Sequence, residues 1–331
     1  MYPTVRLRRN RKAEWLRELL AETTISPVNL ILPIFVTEGK NQLQAITTMP
    51  GVYRQSIDRV VITAQQATEA GIKAIALFPH VTQELKSNNA DEAYNLDNLL
   101  CRAIRSLKNA GINIGIICDV ALDPYTVHGH DGVLSDDGDV DNDKTIEALC
   151  NQALVLAKAG VDVVAPSDMM DGRIAAIRKE LDSDGFFNVN ILAYAAKYSS
   201  SFYAPFRDAI GNAQRAYLNK ATYQMDIRNI KEAMREIEQD LAEGADMVMV
   251  KPGMPFLDVI HAAASNFDAN IFAYQVSGEY AMLKFAALSK AIDWQESMME
   301  SLIGFRRAGA SAIFTYAALE LAEILAKKHT H

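Results

Sequence analysis

Two lysines each close an apolar run: "NILAYAAK" ends at Lys197 and "ADMVMVK" ends at Lys251. A lysine at the end of a buried strand loses hydration and is costly there unless it is neutral or paired. Burial and a second ammonium nearby both favour the neutral amine. To be half neutral near pH 7.5, an amine must fall about three pH units from ~10.4, roughly 4 kcal/mol. A neutral amine adds to carbonyl carbons and gives a Schiff base. The competing reading is a pair of lysines in salt bridges to carboxylates such as Asp119. Pro252 and Pro255, in "KPGMP", make a stiff loop suited to fixing a reactive side chain at Lys251. A second concentration of chemistry places Asp119, Asp123, His128, His130 and Asp131 within thirteen positions. Those residue types could ligate a metal. The two histidines could equally make structural hydrogen bonds within a loop.

Side chains so far apart in sequence must be brought together by the fold. Short apolar runs recur at 29–36, 73–78, 113–120, 161–167, 190–197, 245–251, 271–277 and 311–317, with helix-period segments between them. Before several of them stands a glycine in "EAGI", "NAGI", "KAGV", "LAEG" or "RAGA". Such a glycine takes the left-handed conformation that ends a helix just before the next strand. Continuous rather than alternating apolar strands imply a parallel sheet covered on both faces. Eight strand–helix units predict an α/β fold, a (β/α)8 TIM barrel. A Gly-rich dinucleotide fingerprint does not follow the first strand, which disfavours a doubly wound sheet. Residues 1–24 read as a short N-terminal arm and 25–331 as the barrel. In this fold reactive groups sit at the C-terminal strand ends. Those ends carry Asp119, Ser167, Asp168, Lys197, Lys251, Ser277 and Tyr316.

Composition narrows the class. Half the residues are apolar and 22% are charged, as in ordinary soluble proteins. A net charge of −8 argues against a phosphate-backbone or anionic-membrane partner, so neither nucleic acid nor membrane is expected. The one basic cluster, "RLRRNRK" at 6–12, reads as a solvated arm or one that docks on another subunit. Cys101, Cys118 and Cys150 are odd in number and widely spaced, which suggests free thiols in a reducing cytoplasm. A secretory signal is not expected from a charged N-terminus without an apolar run.

Five segments carry a family resemblance: "DVALDPYTVHGHDG", "VAPSDMMDGR", "AYAAKYSSSFYAPFRDA", "MVMVKPGMPFLD" and "YQVSGEYAM". In order and along nearly the whole chain, they resemble the porphobilinogen synthases (5-aminolevulinate dehydratases). The resemblance implies a TIM barrel with an N-terminal arm, assembled as a homo-octamer or, with so short an arm, a smaller oligomer. It implies condensation of two 5-aminolevulinate molecules to porphobilinogen. Lys251 matches the Schiff-base lysine of the P-site substrate and Lys197 the lysine serving the A site. Ser277 and Tyr316 match groups that hold the P-site carboxylate. Arg207 and Gln224 match A-site carboxylate contacts. Lys220 stands where many members have arginine; it keeps the charge but loses the bidentate fork. Asp119 and Ser167 line the same pocket, with Asp119 a candidate general acid/base or ammonium holder.

Zinc-dependent members carry three cysteines at the positions of Ala121, Asp123 and Asp131. The resemblance therefore implies the branch without catalytic zinc. Asp123 and Asp131 are oxygen donors suited to water, Mg²⁺ or a monovalent cation, and are expected to organise the A site and the loop over it. Glu236 matches the glutamate that binds an allosteric Mg²⁺ in Mg²⁺-stimulated members. The stretch 199–224 is expected to form a lid. A Schiff-base aldolase on the same barrel fits less well, because it needs only one essential lysine. An inactive barrel conflicts with intact Lys197, Lys251, Ser277 and Tyr316. A zinc hydrolase using "HGH" would place that motif after the first strand and add further histidines.

Overall fold

The computed structural model describes residues 1–211 and 219–328, except the side chains of 327 and 328. Eight parallel strands close a barrel: β1 (Leu30–Thr37), β4 (Ala74–Pro79), β5 (Gly115–Val120), β6 (Val163–Pro166), β7 (Asn190–Lys197), β8 (Met247–Lys251), β9 (Asn270–Tyr274) and β10 (Ala312–Phe314). Closure is made by β10 against β1, with Leu30 opposite Ile313. A hairpin of β2 (Leu43–Ala45) and β3 (Tyr53–Ser56) extends the sheet beside β1 and lies outside the eight expected strands.

Burial explains the continuous apolar runs. Every residue of β1 is buried, and so is every residue of β7 after Asn190. Their outer faces meet a ring of helices, and their inner faces fill the barrel. The helices on the outside are α2 (Ile57–Glu69), α3 (Leu99–Asn109), α4 (Asn142–Ala159), α5 (Arg173–Ser183), α7 (Ile230–Ala242), α8 (Leu257–Asn266) and α11 (Ala318–Lys328), while α9 (Ser277–Leu288) packs on the segment after β7. The short α6 (Ala204–Ala209) follows β7, and α10 (Trp294–Ala308) completes the ring against α8 and β10. The glycines before strands act as read: Gly160 caps α4 at φ 101° and Gly309 caps α10 at φ 112°. At Gly309 a Cβ would also lie 2.4 Å from the Cβ of Ala264, so glycine is required twice over.

Residues 1–24 form a 3-10 turn at Leu7–Arg11 and the helix α1 (Glu14–Leu19), and none of them is buried. Trp15 is 65% exposed and Leu19 73%. Among the described residues, no helix is long and apolar enough to cross a membrane.

Candidate active site

The register of β7 and β8 places Lys197 directly opposite Lys251 at the mouth of the barrel. A bulge between Ala193 and Ala196 shifts the alternation of β7 just before Lys197. Tyr194 therefore faces the same interior as the lysines, three residues away from Lys197 where strict period two would separate them. The Lys251 amine lies 4.8 Å from the ring centre of Tyr274, 4.9 Å from Tyr194, 5.3 Å from Phe206 and 5.4 Å from Tyr203. Burial in this cage, with Lys197 beside it, pulls the Lys251 ammonium down from 10.5 to about 7. That fall corresponds to about 5 kcal/mol. Ring faces return only about 0.5–2 kcal/mol to a cation, so desolvation decides the outcome. Lys251 is a near-neutral amine at physiological pH.

Lys197 sits in the opposite environment. Its amine donates to Asp131 Oδ2 at 3.1 Å and to the Ser167 carbonyl. Asp131 also receives Lys220 on Oδ1 at 2.7 Å and Gln224 on Oδ2 at 3.2 Å. Asp123 lies 3.6 Å from Lys220. Burial alone would raise Asp131, but Lys197 and Lys220 outweigh it and hold the carboxyl well below the usual carboxylate range. Burial would likewise lower Lys220, and Asp131 and Asp123 reverse that and raise it. Burial raises Asp123 against the pull of Lys220.

Asp119, the penultimate residue of β5, stands between these two regions. Burial pushes its carboxyl up to about 7, against Lys251 and Lys197. Ser167 hydrogen-bonds to it, and its Oδ1 has no hydrogen-bond partner among the described residues. A buried oxygen left without a partner is costly, and this carboxyl feels the charges of both Lys251 and Lys197. It can take and return a proton near neutral pH.

The structure thus brings Asp119, Asp123, Asp131, Ser167, Lys197, Lys220, Gln224 and Lys251 into one cluster. Tyr316 joins it through a 3.0 Å hydroxyl–hydroxyl bond to Tyr274, two residues past the end of β10. Ser277 is not a strand residue but the first residue of α9, because β9 stops at Tyr274. Its hydroxyl accepts from Phe206 N at 2.9 Å and donates to Phe202 O at 3.3 Å. Arg207 follows Phe206 in α6, and its charge acts on Lys220. The stretch read as a lid begins with a 3-10 turn (Ser201–Tyr203) and α6; residues 212–218 of it lie outside the described residues. His128 meets Asn88 O at 3.2 Å and His130 meets the Tyr223 hydroxyl at 3.2 Å, both structural contacts.

Glu236 lies apart, half-buried on α7. Burial raises its carboxyl, Arg173 opposes that, and Asp240, Asp171 and Glu232 add to the rise. It lines a cavity of about 550 Å³ with Asp171 and Glu232. Among the described residues no group of three or more His, Cys, Asp or Glu side chains is arranged to hold a metal.

Sequence reading missed four things here. The aromatic cage depends on the bulge in β7, which no periodicity announces. Arg173, fully buried, pairs with Asp240 at 2.6 Å and Asp168 at 3.7 Å; its place directly after "SDMMDG" was the available signal. Arg54, on the unforeseen hairpin, donates to Ala209 O at 2.6 Å and Asp208 O at 2.5 Å and so anchors the end of α6 next to Arg207. Glu279 binds three backbone N–H groups, and its spacing from Val276 was the signal for that cap.

A near-neutral buried lysine beside a second lysine, at the mouth of a closed parallel barrel, is the equipment of an enzyme that condenses carbonyl compounds. The family profile described as delta-aminolevulinic acid dehydratase matches residues 4–324. The delta-aminolevulinic acid dehydratase of Bradyrhizobium diazoefficiens is 52% identical over 97% of this chain and 91% of its own length. The chloroplastic enzyme of Glycine max is 49% identical over 97% of this chain and 77% of its own. The crystal structure of delta-aminolevulinic acid dehydratase (porphobilinogen synthase) from Toxoplasma gondii ME49, in complex with the reaction product porphobilinogen, superposes with a TM-score of 0.94. It is 49% identical and covers 97% of this chain and 91% of that one. The chain belongs to the delta-aminolevulinic acid dehydratase family, and it is a lyase of porphyrin biosynthesis that makes porphobilinogen from 5-aminolevulinate.

Proposed function

We propose that the two lysines divide the reaction between them. Lys251 adds to the ketone of the first 5-aminolevulinate, loses water and leaves an imine that acidifies the adjacent carbon. The hydroxyls of Ser277 and Tyr316 receive the carboxylate of that substrate, Ser277 turning from the Phe202 carbonyl to do so. Lys197 activates the second molecule, whose carboxylate is met by Arg207, Gln224 and Lys220. Lys220 and Gln224 leave Asp131 in part to do so. Asp119 takes the proton released on the way to the pyrrole or holds the substrate ammonium. Two substrates give one porphobilinogen and two waters. Holding two identical molecules in different poses is mainly a problem of orientation. The observation that carries this reading is Lys251, held near neutrality in an aromatic cage and in register with Lys197. Borohydride added with 5-aminolevulinate, followed by peptide mapping, tests it: a reduced adduct on Lys251 supports the reading, and none on either lysine in folded protein would sink it.

The same environment predicts a pH dependence. Lys251 must be neutral to attack, so kcat/KM should fall about tenfold per pH unit below about 7. The pH–rate profile checks this; an acid limb near 10 would mean an ordinary ion-paired lysine. For stability, the unfolded chain binds more protons than the folded one between about 7 and ~10.4. The Lys251 contribution to stability therefore becomes more favourable as pH rises through that window.

We further propose that no zinc serves the condensation. Asp123 and Asp131 already receive Lys220 and Lys197, so positive charge at this place comes from ammonium groups, and Ala121 offers no donor. A monovalent cation or water fits the remaining carboxylate oxygens. Glu236, with Asp171 and Glu232 near it, would hold an allosteric Mg²⁺, which supplies charge neutralisation there. The exposed apolar residues of the arm, Trp15 and Leu19 among them, favour a homo-oligomer, an octamer or a smaller form. Sedimentation and activity measured together should show Mg²⁺ raising both after chelation, and Glu236→Ala should abolish the response. Full activity in chelator, unmoved by added Mg²⁺, would contradict it. Three buried free cysteines suit the cytoplasm.

A further inference from the structure

Glu279 is fully buried, and among the described residues no lysine or arginine pairs with it. Its carboxylate is spent on backbone. Oε1 accepts from Met254 N at 2.5 Å; Oε2 accepts from Val276 N at 2.6 Å and Gly253 N at 3.4 Å. Val276 immediately precedes Ser277. Gly253 and Met254 are the second and third residues after Lys251. One side chain therefore ties the loop leaving the imine lysine to the turn that presents Ser277.

The surroundings leave both segments little slack. A Cβ on Gly253 would lie 2.2 Å from Phe305 Cε1, and a Cβ on Gly278 would lie 2.5 Å from the Phe202 carbonyl oxygen. Ser277 itself clasps the backbone of Phe202 and Phe206. Three consecutive residues thus have three attachments. Ser277 and Gly278 fix the turn to the segment that carries Phe206 and Arg207, and Glu279 fixes it to the Lys251 loop. Both carboxylate oxygens are acceptors, so glutamine would turn an N–H₂ toward at least one backbone N–H.

We infer that Glu279 is a positioning residue, holding Lys251 and Ser277 the length of one substrate apart so that the imine carbon and the carboxylate of the same molecule are bound together. This rests on the proposed roles of those two residues. The test compares Glu279→Gln and Glu279→Asp with the unaltered enzyme, reading kcat, KM, thermal melting and the rate of borohydride trapping at each lysine separately. In Glu279→Gln we expect folded protein whose trapping at Lys251 and whose kcat/KM both fall about 100-fold. Trapping at Lys197, held by the separate Asp131 cluster, should stay near the parent rate. Glu279→Asp keeps a carboxyl group on a shorter arm and should recover part of the loss. Parent-rate trapping at Lys251 in folded Glu279→Gln would overturn the inference. So would equal slowing at both lysines, or failure of both variants to fold, since each would make Glu279 a general structural residue. No Lys251 adduct in the unaltered enzyme would overturn the imine reading itself, and this inference with it.

Discussion

Lys251→Met should lose at least about 10⁴-fold in turnover, the scale seen when a covalent nucleophile is removed. The borohydride adduct at residue 251 should vanish with it. Methionine matches lysine in length, and its thioether suits the rings of Tyr194, Tyr203, Phe206 and Tyr274. The amine is held in that cage against its preference for water, so its removal should leave the melting temperature unchanged or raise it. Loss of activity and gain of stability in one variant separate a catalytic lysine from a salt-bridge lysine, whose removal would destabilise. Residual turnover above a few per cent, or a lower melting temperature, would contradict the proposed role.

Asp131→Ala should cost about 3–5 kcal/mol of unfolding free energy, the range for removing one partner of a buried ion pair. Lys197 and Lys220 both lean on this carboxylate and are themselves almost wholly buried. The pH dependence follows from two shifts of opposite kind. The depressed folded pKa of Asp131 gives stability that is present above about 3.9, the unfolded value, and is lost as pH falls through the folded one. The raised pKa of Lys220 gives stability that is present below ~10.4 and is lost as pH rises through its folded value. The difference between parent and variant in urea unfolding should therefore be flat between roughly pH 5 and 9. A gap under about 1 kcal/mol would be that of an exposed pair and would contradict the buried cluster.

The barrel was legible because its signals are local: glycine before several strands, and apolar runs buried on both faces. The strand-end chemistry was legible for the same reason, since Asp119, Ser167, Lys197 and Lys251 stand where a run stops. What escaped reading depends on contacts between distant segments. The hairpin at 43–56 is short, largely polar and mostly exposed, so it carries no periodicity, yet it supplies Arg54 to α6. Ser277 reads as the end of a strand because "IFAYQVS" is largely apolar, whereas β9 ends at Tyr274 and a helix begins at Ser277. Asp131 is expected from sequence to organise the A site and the loop over it; only the structure shows two ammonium groups and an amide meeting on it.

The three thiols are fully or nearly buried, and none stands among the groups at the barrel mouth. Burial pushes Cys101 and Cys150 up to about 11 and raises Cys118 well above the ordinary thiol value. Cys118 precedes Asp119 in the same strand, and alternation turns it to the opposite face. Soft metal ions prefer thiolates, and among the described residues the groups gathered at the barrel mouth are carboxylates, amines, hydroxyls and aromatic rings. Turnover is therefore expected to survive a thiol-blocking reagent, and an activity assay after such treatment checks it.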